Sequence, residues 1–149
     1  MLQFKNNWDN ETGIATTTIT YNNKKFIGQA KCHPEDKDMQ SSWTGTAISE
    51  FRASILVLQH IRDNELRPQL KCLKQLYYSM NRSKHFNPKS YEAKMLMHSI
   101  KNAEIALEEI KKGIAITKNE LNHYLNTKEL WYQQIRKRRA GQDKTTLSK

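Results

Sequence analysis

The sequence predicts a mainly α protein: an N-terminal β-hairpin followed by a long antiparallel helical hairpin, coiled-coil-like, assembling as a homo-oligomer. Three observations predict it. Between Ala93 and Ile135 apolar residues recur at alternating steps of three and four, interrupted only by Thr117 and Lys128. Such a 3.5-residue period marks a helix with one narrow face to cover. A less regular seam precedes it, through Ile48, Phe51, Ile55, Leu58, Leu66, Leu70, Leu73, Tyr77 and Met80. Upstream of both, two β-prone runs (13–21 and 24–31) flank Asn22-Asn23, and asparagine tolerates the positive φ of a tight hairpin turn. The expected organisation is an N-terminal arm and β-hairpin over 1–40, the helical hairpin over 41–140 and a disordered basic tail over 141–149.

In chain order, Met1 to Thr12 is mostly polar and reads as a loosely held arm around Trp8. Gly28 inside the second β-run predicts a bulge or a close backbone approach. A lone two-stranded ribbon is marginal in water, so the hairpin should pack on the helices or pair with a copy of itself. Cys32 to Gln40 is a turn cluster, after which Ser41, Ser42 and Thr44 compete to cap a helix. That first helix is expected from about Trp43 to Lys84. Pro68 falls in its middle, where a lost hydrogen bond and a steric clash cost ~3 kcal/mol in a straight helix. A kink, or two helices end to end, should result. Arg82 to Lys89 is the turn, with Asn87 as N-cap and Pro88 at the first helical position. So short a connection folds the second helix, from near Pro88 to about Arg139, antiparallel to the first. Its seam outruns the first helix, which assigns the distal part to a second copy.

The chain has 149 residues, a length that suits one domain, and 25 Lys/Arg against 15 Asp/Glu give a net charge of +10. The placement of that charge is informative. Residues 1–40 hold five lysines and five acids, so the remainder carries the whole excess. A basic helical body with a neutral cap points to an anionic partner. Lys5, Asn6, Asn7 and Asp9 interrupt any apolar leader, and no apolar run approaches the ~20 residues of a membrane span. Two cysteines, Cys32 and Cys72, stand far apart and outside any CxxC pair, which suits a reducing cytosol.

Catalytic signatures are scarce: no glycine-rich phosphate loop, no HExxH and no GxSxG occur. The expectation is a binding protein rather than an enzyme, without cofactor or metal. His33 with Glu35, Asp36 and Asp38 surrounds Pro34 and reads more simply as a solvated turn. Cys32 and His33 are adjacent, a spacing at which side chains rarely face each other, so a nucleophile pair is not expected. Glu50 and Arg52 read as a helix-end charge pattern. Arg136-Lys137-Arg138-Arg139 exceeds what the helix dipole requires and makes a plausible phosphate contact. An antiparallel hairpin would bring that end beside the start of the first helix. The expected ligand-binding set is therefore Trp43, Arg52, Trp131, Arg136, Arg138 and Arg139, since aromatic planes among guanidinium groups suit a stacked base and its phosphate. The competing reading is a hydrophobic plug with a solvated basic rim. A second cluster, Lys71, Lys74, Tyr77, Tyr78 and Arg82, suggests packing for Tyr77 and exposure for the charges.

The segment from Phe26 to Ile55, FIGQAKCHPEDKDMQSSWTGTAISEFRASI, resembles a pattern in small accessory proteins of phages and prophages from Gram-positive bacteria. The matching parts are FxGxAxCHPED and TGxxISExRA, the latter on Thr44, Gly45, Ile48, Ser49, Glu50, Arg52 and Ala53. The resemblance implies context rather than residue roles: a viral protein in the host bacterial cytoplasm. Small basic phage proteins that assemble as homo-oligomers include inhibitors of host defence, some of which sequester nucleotide signals. By analogy of architecture the expected partners are a second copy and a nucleotide-like anion, with no membrane. The alternatives are a basic coiled coil that binds DNA or RNA, and a structural adaptor in phage assembly.

Overall fold

The computed structural model describes residues 2–31 and 41–147, with side chains through residue 141. The chain is mainly helical, with an N-terminal antiparallel sheet and a long C-terminal helix. Strands β1 (Leu2–Asp9), β2 (Ile14–Tyr21) and β3 (Lys24–Lys31) lie in the order β1-β2-β3. The predicted hairpin is β2–β3, and its turn residues Asn22 and Asn23 take φ of 48° and 63°, both positive as a primed turn requires. The loosely held arm is corrected: residues 2–9 form a third strand, paired with β2 along their whole length. Leu2, Phe4 and Trp8 alternate with polar neighbours, a period-2 signal that Asn6 interrupts. Asp9 closes the β1–β2 turn. Its Oδ1 accepts the Glu11 and Thr12 amides at 2.9 and 3.3 Å, and Gly13, at φ 66°, returns its amide to the Asp9 carbonyl at 2.8 Å.

Helix α1 (Ser42–Ile61) is capped by Ser41, whose Oγ accepts the Thr44 amide at 3.3 Å and whose carbonyl accepts that of Gly45 at 3.0 Å. Small residues on both sides let the helix settle directly on the sheet. Ala15, Thr17, Ile19, Gly28 and Ala30 form the buried sheet face, and Ser49 and Ala53 the helix face. A Cβ on Gly28 would overlap the Ser49 carbonyl oxygen and stand 2.5 Å from the Ala53 nitrogen. Gly28 therefore marks a close approach, and the register runs through it without a bulge. Thr17, wholly buried, meets Ser49 Oγ at 2.7 Å and donates to Asn6 Oδ1 at 2.8 Å, while Ser49 donates to the Thr46 carbonyl at 2.9 Å. Two hydroxyl protons serve three contacts, so one is shared. Asn6 Nδ2 donates to Glu50 Oε1 at 2.8 Å, and Arg52 Nη1 donates to the Gln29 carbonyl at 2.6 Å. The TGxxISExRA residues are thus the face with which α1 grips the sheet, and Glu50 and Arg52 are staples rather than a helix-end charge pattern.

Pro68 is accommodated without a clean break. A π-helical turn, Arg62–Leu66, joins α1 to α2 (Arg67–Asn81) and places Pro68 in the first turn of α2. There its missing N–H costs little, and the Arg67 amide reaches five residues back to the Arg62 carbonyl. Tyr77 packs edge-on against Phe86 with centroids 5.7 Å apart, as packing for Tyr77 anticipated. The second long helix starts later than expected. Asn87 forms a local turn through the Lys89 amide, and Ser90 is the true cap, its Oγ accepting the Ala93 amide at 3.2 Å. Helix α3 (Tyr91–Leu147) then continues past Arg139 into the segment expected as a disordered tail.

The chain divides into two compact units. One comprises the strands, α1 as far as Ser54 and α3 from Thr117; the other is Ile55–Ile116. Within the second, α2 and the start of α3 run back along each other: Lys74 Nζ stands 3.1 Å from Glu104 Oε1, and Leu70 and Leu107 line one shallow groove. Ala93, Leu96, Ile100, Ala103 and Ile114 of the predicted seam are buried. Within the first unit the seam continues through Leu121, buried, and Tyr124, whose ring lies 6.2 Å from that of Phe51. At its end the seam shifts by one position. Tyr132 is half-buried and Trp131 is 48% exposed, because a straight α-helix drifts ~20° per heptad from a strict 3.5 repeat.

Candidate ligand cleft

Where β1, β3, the start of α1 and the C-terminal half of α3 meet, they leave a cleft of ≈ 200 Å³. Small residues, Gly13, Ala30 and Gly45, create the space, and Leu125 and Ile48 give it an apolar floor. Gly45 has a specific role. A Cβ there would stand 2.9 Å from both Trp8 Cζ3 and Ala15 Cβ, so only glycine lets the indole lie against the helix. Trp8 is further fixed by donating Nε1–H to Asn10 Oδ1 at 2.5 Å. Tyr132 supplies a second aromatic ring, Ser41 and Thr44 supply hydroxyls, and Lys31, Lys128 and Glu129 supply charge.

The charges are not balanced. Glu129 Oε1 stands 3.4 Å from Arg136 Nη1 and also accepts from Gln133 at 3.3 Å, which leaves the two lysines to set the sign of the cleft. Lys128 Nζ stands 5.6 Å from the Tyr124 ring and 5.7 Å from that of Trp131, so its ammonium is steadied by aromatic faces. A positive, partly apolar recess raises the local concentration of anions. Its volume is below the ~300–1,000 Å³ of sites that enclose drug-sized ligands, so a ligand with both a ring and a phosphate would be held at those two groups and otherwise stay open to solvent.

The six residues expected to bind ligand do not line this cleft. Trp43 is 88% exposed on the outer face of α1. Arg52 is committed to the Gln29 carbonyl. Trp131 borders the site through two of its lining residues, its ring edge-on to Tyr132 at 5.0 Å and beneath the Lys128 ammonium at 5.7 Å, and Arg136 borders it through Glu129. Arg138 and Arg139 are exposed beyond it. The expected set and the cleft share the distal part of α3 but no side chain. Trp8, Lys31, Thr44 and Tyr132 were missed, and one signal pointed at the cleft: Lys128, the single charge on an otherwise apolar seam. His33 with Glu35, Asp36 and Asp38, and Cys32, lie outside the described residues. Among the described residues no three His, Cys, Asp or Glu side chains gather as metal ligands would, and no helix is long and apolar enough to cross a membrane. Compared with models of protein families, with curated proteins and with solved structures, the chain matches none.

Proposed function

We propose that the chain is a non-enzymatic binding protein whose cleft takes a nucleotide-like anion, and that it acts as a phage accessory protein by withholding such a signal from host defence. The observation that carries the ligand class is the pairing of two aromatic rings, Trp8 and Tyr132, with two lysines, Lys31 and Lys128, around one recess. An aromatic ring offers a stacking face to any base, and an ammonium offers a point charge to a phosphate. The phage context is supported by the resemblance of residues 26–55 to accessory proteins of phages. Calorimetric titration with adenosine, AMP and inorganic phosphate as probes tests the ligand class. AMP should bind more tightly than either fragment, and Lys128→Gln should weaken AMP at least tenfold while leaving adenosine unchanged, because Gln preserves the helix. Equal AMP affinity in parent and variant would remove the cleft as an anion site. Mass spectrometry of small molecules released from protein purified out of defence-activated cells tests the biological role.

A second reading has its own observation. Residues 67–89 contain six Lys/Arg and no Asp or Glu, and Lys71, Lys74, Tyr78 and Arg82 are exposed, with the Arg82 guanidinium 4.5 Å over the Tyr78 ring. Such a surface suits a nucleic-acid backbone. Binding there would weaken steeply with salt, with a log–log slope of about −0.9 per phosphate neutralised, whereas AMP affinity in the cleft would fall far less.

A further inference from the structure

The hairpin turn fixes which backbone groups of the sheet are already used. In a two-residue primed turn the flanking pair, here Tyr21 and Lys24, exchanges both hydrogen bonds. Alternation along an antiparallel ladder then turns Ile19, Thr17 and Ala15 towards β3, and Thr20, Thr18, Thr16 and Ile14 towards β1. On β1 their partners are Gln3, Lys5, Asn7 and Asp9. Leu2, Phe4, Asn6 and Trp8 therefore direct their N–H and C=O groups outward. The same alternation makes Gln29 an outward residue of β3, and its carbonyl is the one that Arg52 takes at 2.6 Å. The edge of β3 is thus partly covered by α1. Among the described residues no group takes the outward N–H or C=O groups of β1.

We infer that β1 pairs with β1 of a second copy, antiparallel across a two-fold axis, to make a continuous six-stranded sheet. Proteins that keep a sheet edge solitary blunt it with bulges, prolines or charges, lysine above all, and of these devices β1 carries only Lys5 and the terminal Asp9. Strand β1 has an unbroken eight-residue register with β2 and no proline. Leu2 and Phe4 are 51% and 60% exposed on it. Charge selects the occupant. The chain carries +10, but β1 holds one Lys5 and one Asp9, so two copies meet here with the least repulsion. An antiparallel edge is also complementary to itself under a two-fold rotation. Because outward groups sit on even-numbered residues, the strands must match even with even. A dyad at Lys5 would set two lysines opposite each other, which is unfavourable. A dyad at Asn6 sets Phe4 opposite the partner's Trp8, twice, and is the register assigned. The pairing does not rest on the identity of the cleft's ligand.

The test uses the full chain. By light scattering the parent should have twice the 17.5 kDa chain mass at tens of micromolar, and Phe4→Pro should halve it. The Phe4 N–H points outward, so proline there removes no bond to β2 and blocks only the new ladder. Unchanged adenosine or AMP binding in that variant would show that the cleft survives. A parent that is monomeric, or a folded Phe4→Pro that keeps the parent mass, overturns the pairing. Should Phe4→Pro misfold, hydrogen exchange on the parent decides. The Phe4 and Asn6 amides should gain protection with concentration while those of Lys5 and Asn7 stay constant, and fast exchange at Phe4 and Asn6 in the associated state would equally overturn it.

Discussion

The two units of the chain hold themselves together in different ways. In the sheet-bearing unit the face between sheet and α1 is made, apart from Ile19, of alanine, glycine, threonine and serine, and backbones approach until a single added carbon has nowhere to go. Directional bonds fix the arrangement: Thr17 with Ser49, Asn6 with Glu50, Arg52 with the Gln29 carbonyl. In Ile55–Ile116 the buried residues are Ile55, Val57, Ala93, Leu96, Ile100, Ala103 and Ile114, with ion pairs such as Lys74–Glu104 at the exposed margin. One unit is specified by proximity, the other by apolar volume. The difference explains why the cleft belongs to the first. A recess with placed polar groups needs walls that cannot slide, and a greasy helix pair does not supply them.

The sharpest way to break the comparison is one substitution made in both units. Gly28→Ala thrusts a methyl into the backbone of Ser49 and Ala53, where no side chain can yield. Overpacking of this kind costs ~1–3 kcal/mol and occasionally more, and here the upper end is expected, read as a large drop in the urea midpoint. Gly113→Ala meets nothing within 4 Å in mid-helix and should stabilise by ~0.5–1 kcal/mol. Equal effects of the two would mean that the sheet and α1 are not in close contact.

Ser49→Ala is the milder probe of the same contact. It deletes one hydroxyl from a chain of bonds and leaves the Thr46 carbonyl without its 2.9 Å donor and Thr17 with Asn6 alone. Loss of about 1–2 kcal/mol is expected. Ser49→Cys, close in size but a poor donor, should recover little of it. Full recovery would show that the site wants volume rather than hydrogen bonds, as the other unit does.

These features were unequally legible in the sequence. The hairpin was readable because asparagine at positive φ leaves a mark in composition, and the long helix because its period persists over many turns. Strand β1 was not, because Asn6 breaks the apolar alternation; the structure uses Asn6 instead to bond Thr17 and Glu50. The start of α3 was misread because Asn87-Pro88 looks like a cap, although Ser90 holds the Ala93 amide. The role of Trp131 was assigned by extrapolating a 3.5 period past the point where the helix drifts to Tyr132. The cleft was the least legible. Its walls come from β1, β3, α1 and α3, and no local pattern encodes a recess formed by their meeting. Pairwise contacts between distant segments, such as Gly45 beneath Trp8, are invisible until the chain is folded.

The smallest expected effect compares one carboxylate from each unit. Asp9 is held below the usual aspartate value mainly by the Glu11 backbone amide, with that of Thr12 behind it. Asp63, in the π-helical turn, is lowered mainly by its bond to the Arg62 guanidinium, 2.8 Å from Oδ1. In both cases the folded value lies below the unfolded one, near 3.8. Each group therefore contributes its stability in full above about that pH and loses it as pH falls through the folded value. The causes differ, and salt separates them. An exposed carboxylate beside a partly exposed guanidinium is screened, so Asp63 should titrate closer to its ordinary value in 1 M salt, where the Debye length is ~3 Å. Asp9 accepts bonds from neutral amides inside its own turn and should move little. Carboxyl titrations followed by NMR at low and high salt measure both directly. If Asp9 shifts with salt as far as Asp63, its turn is held by charge rather than by the backbone, and Asp9→Asn, which keeps the acceptor oxygen, should then loosen the β1–β2 turn.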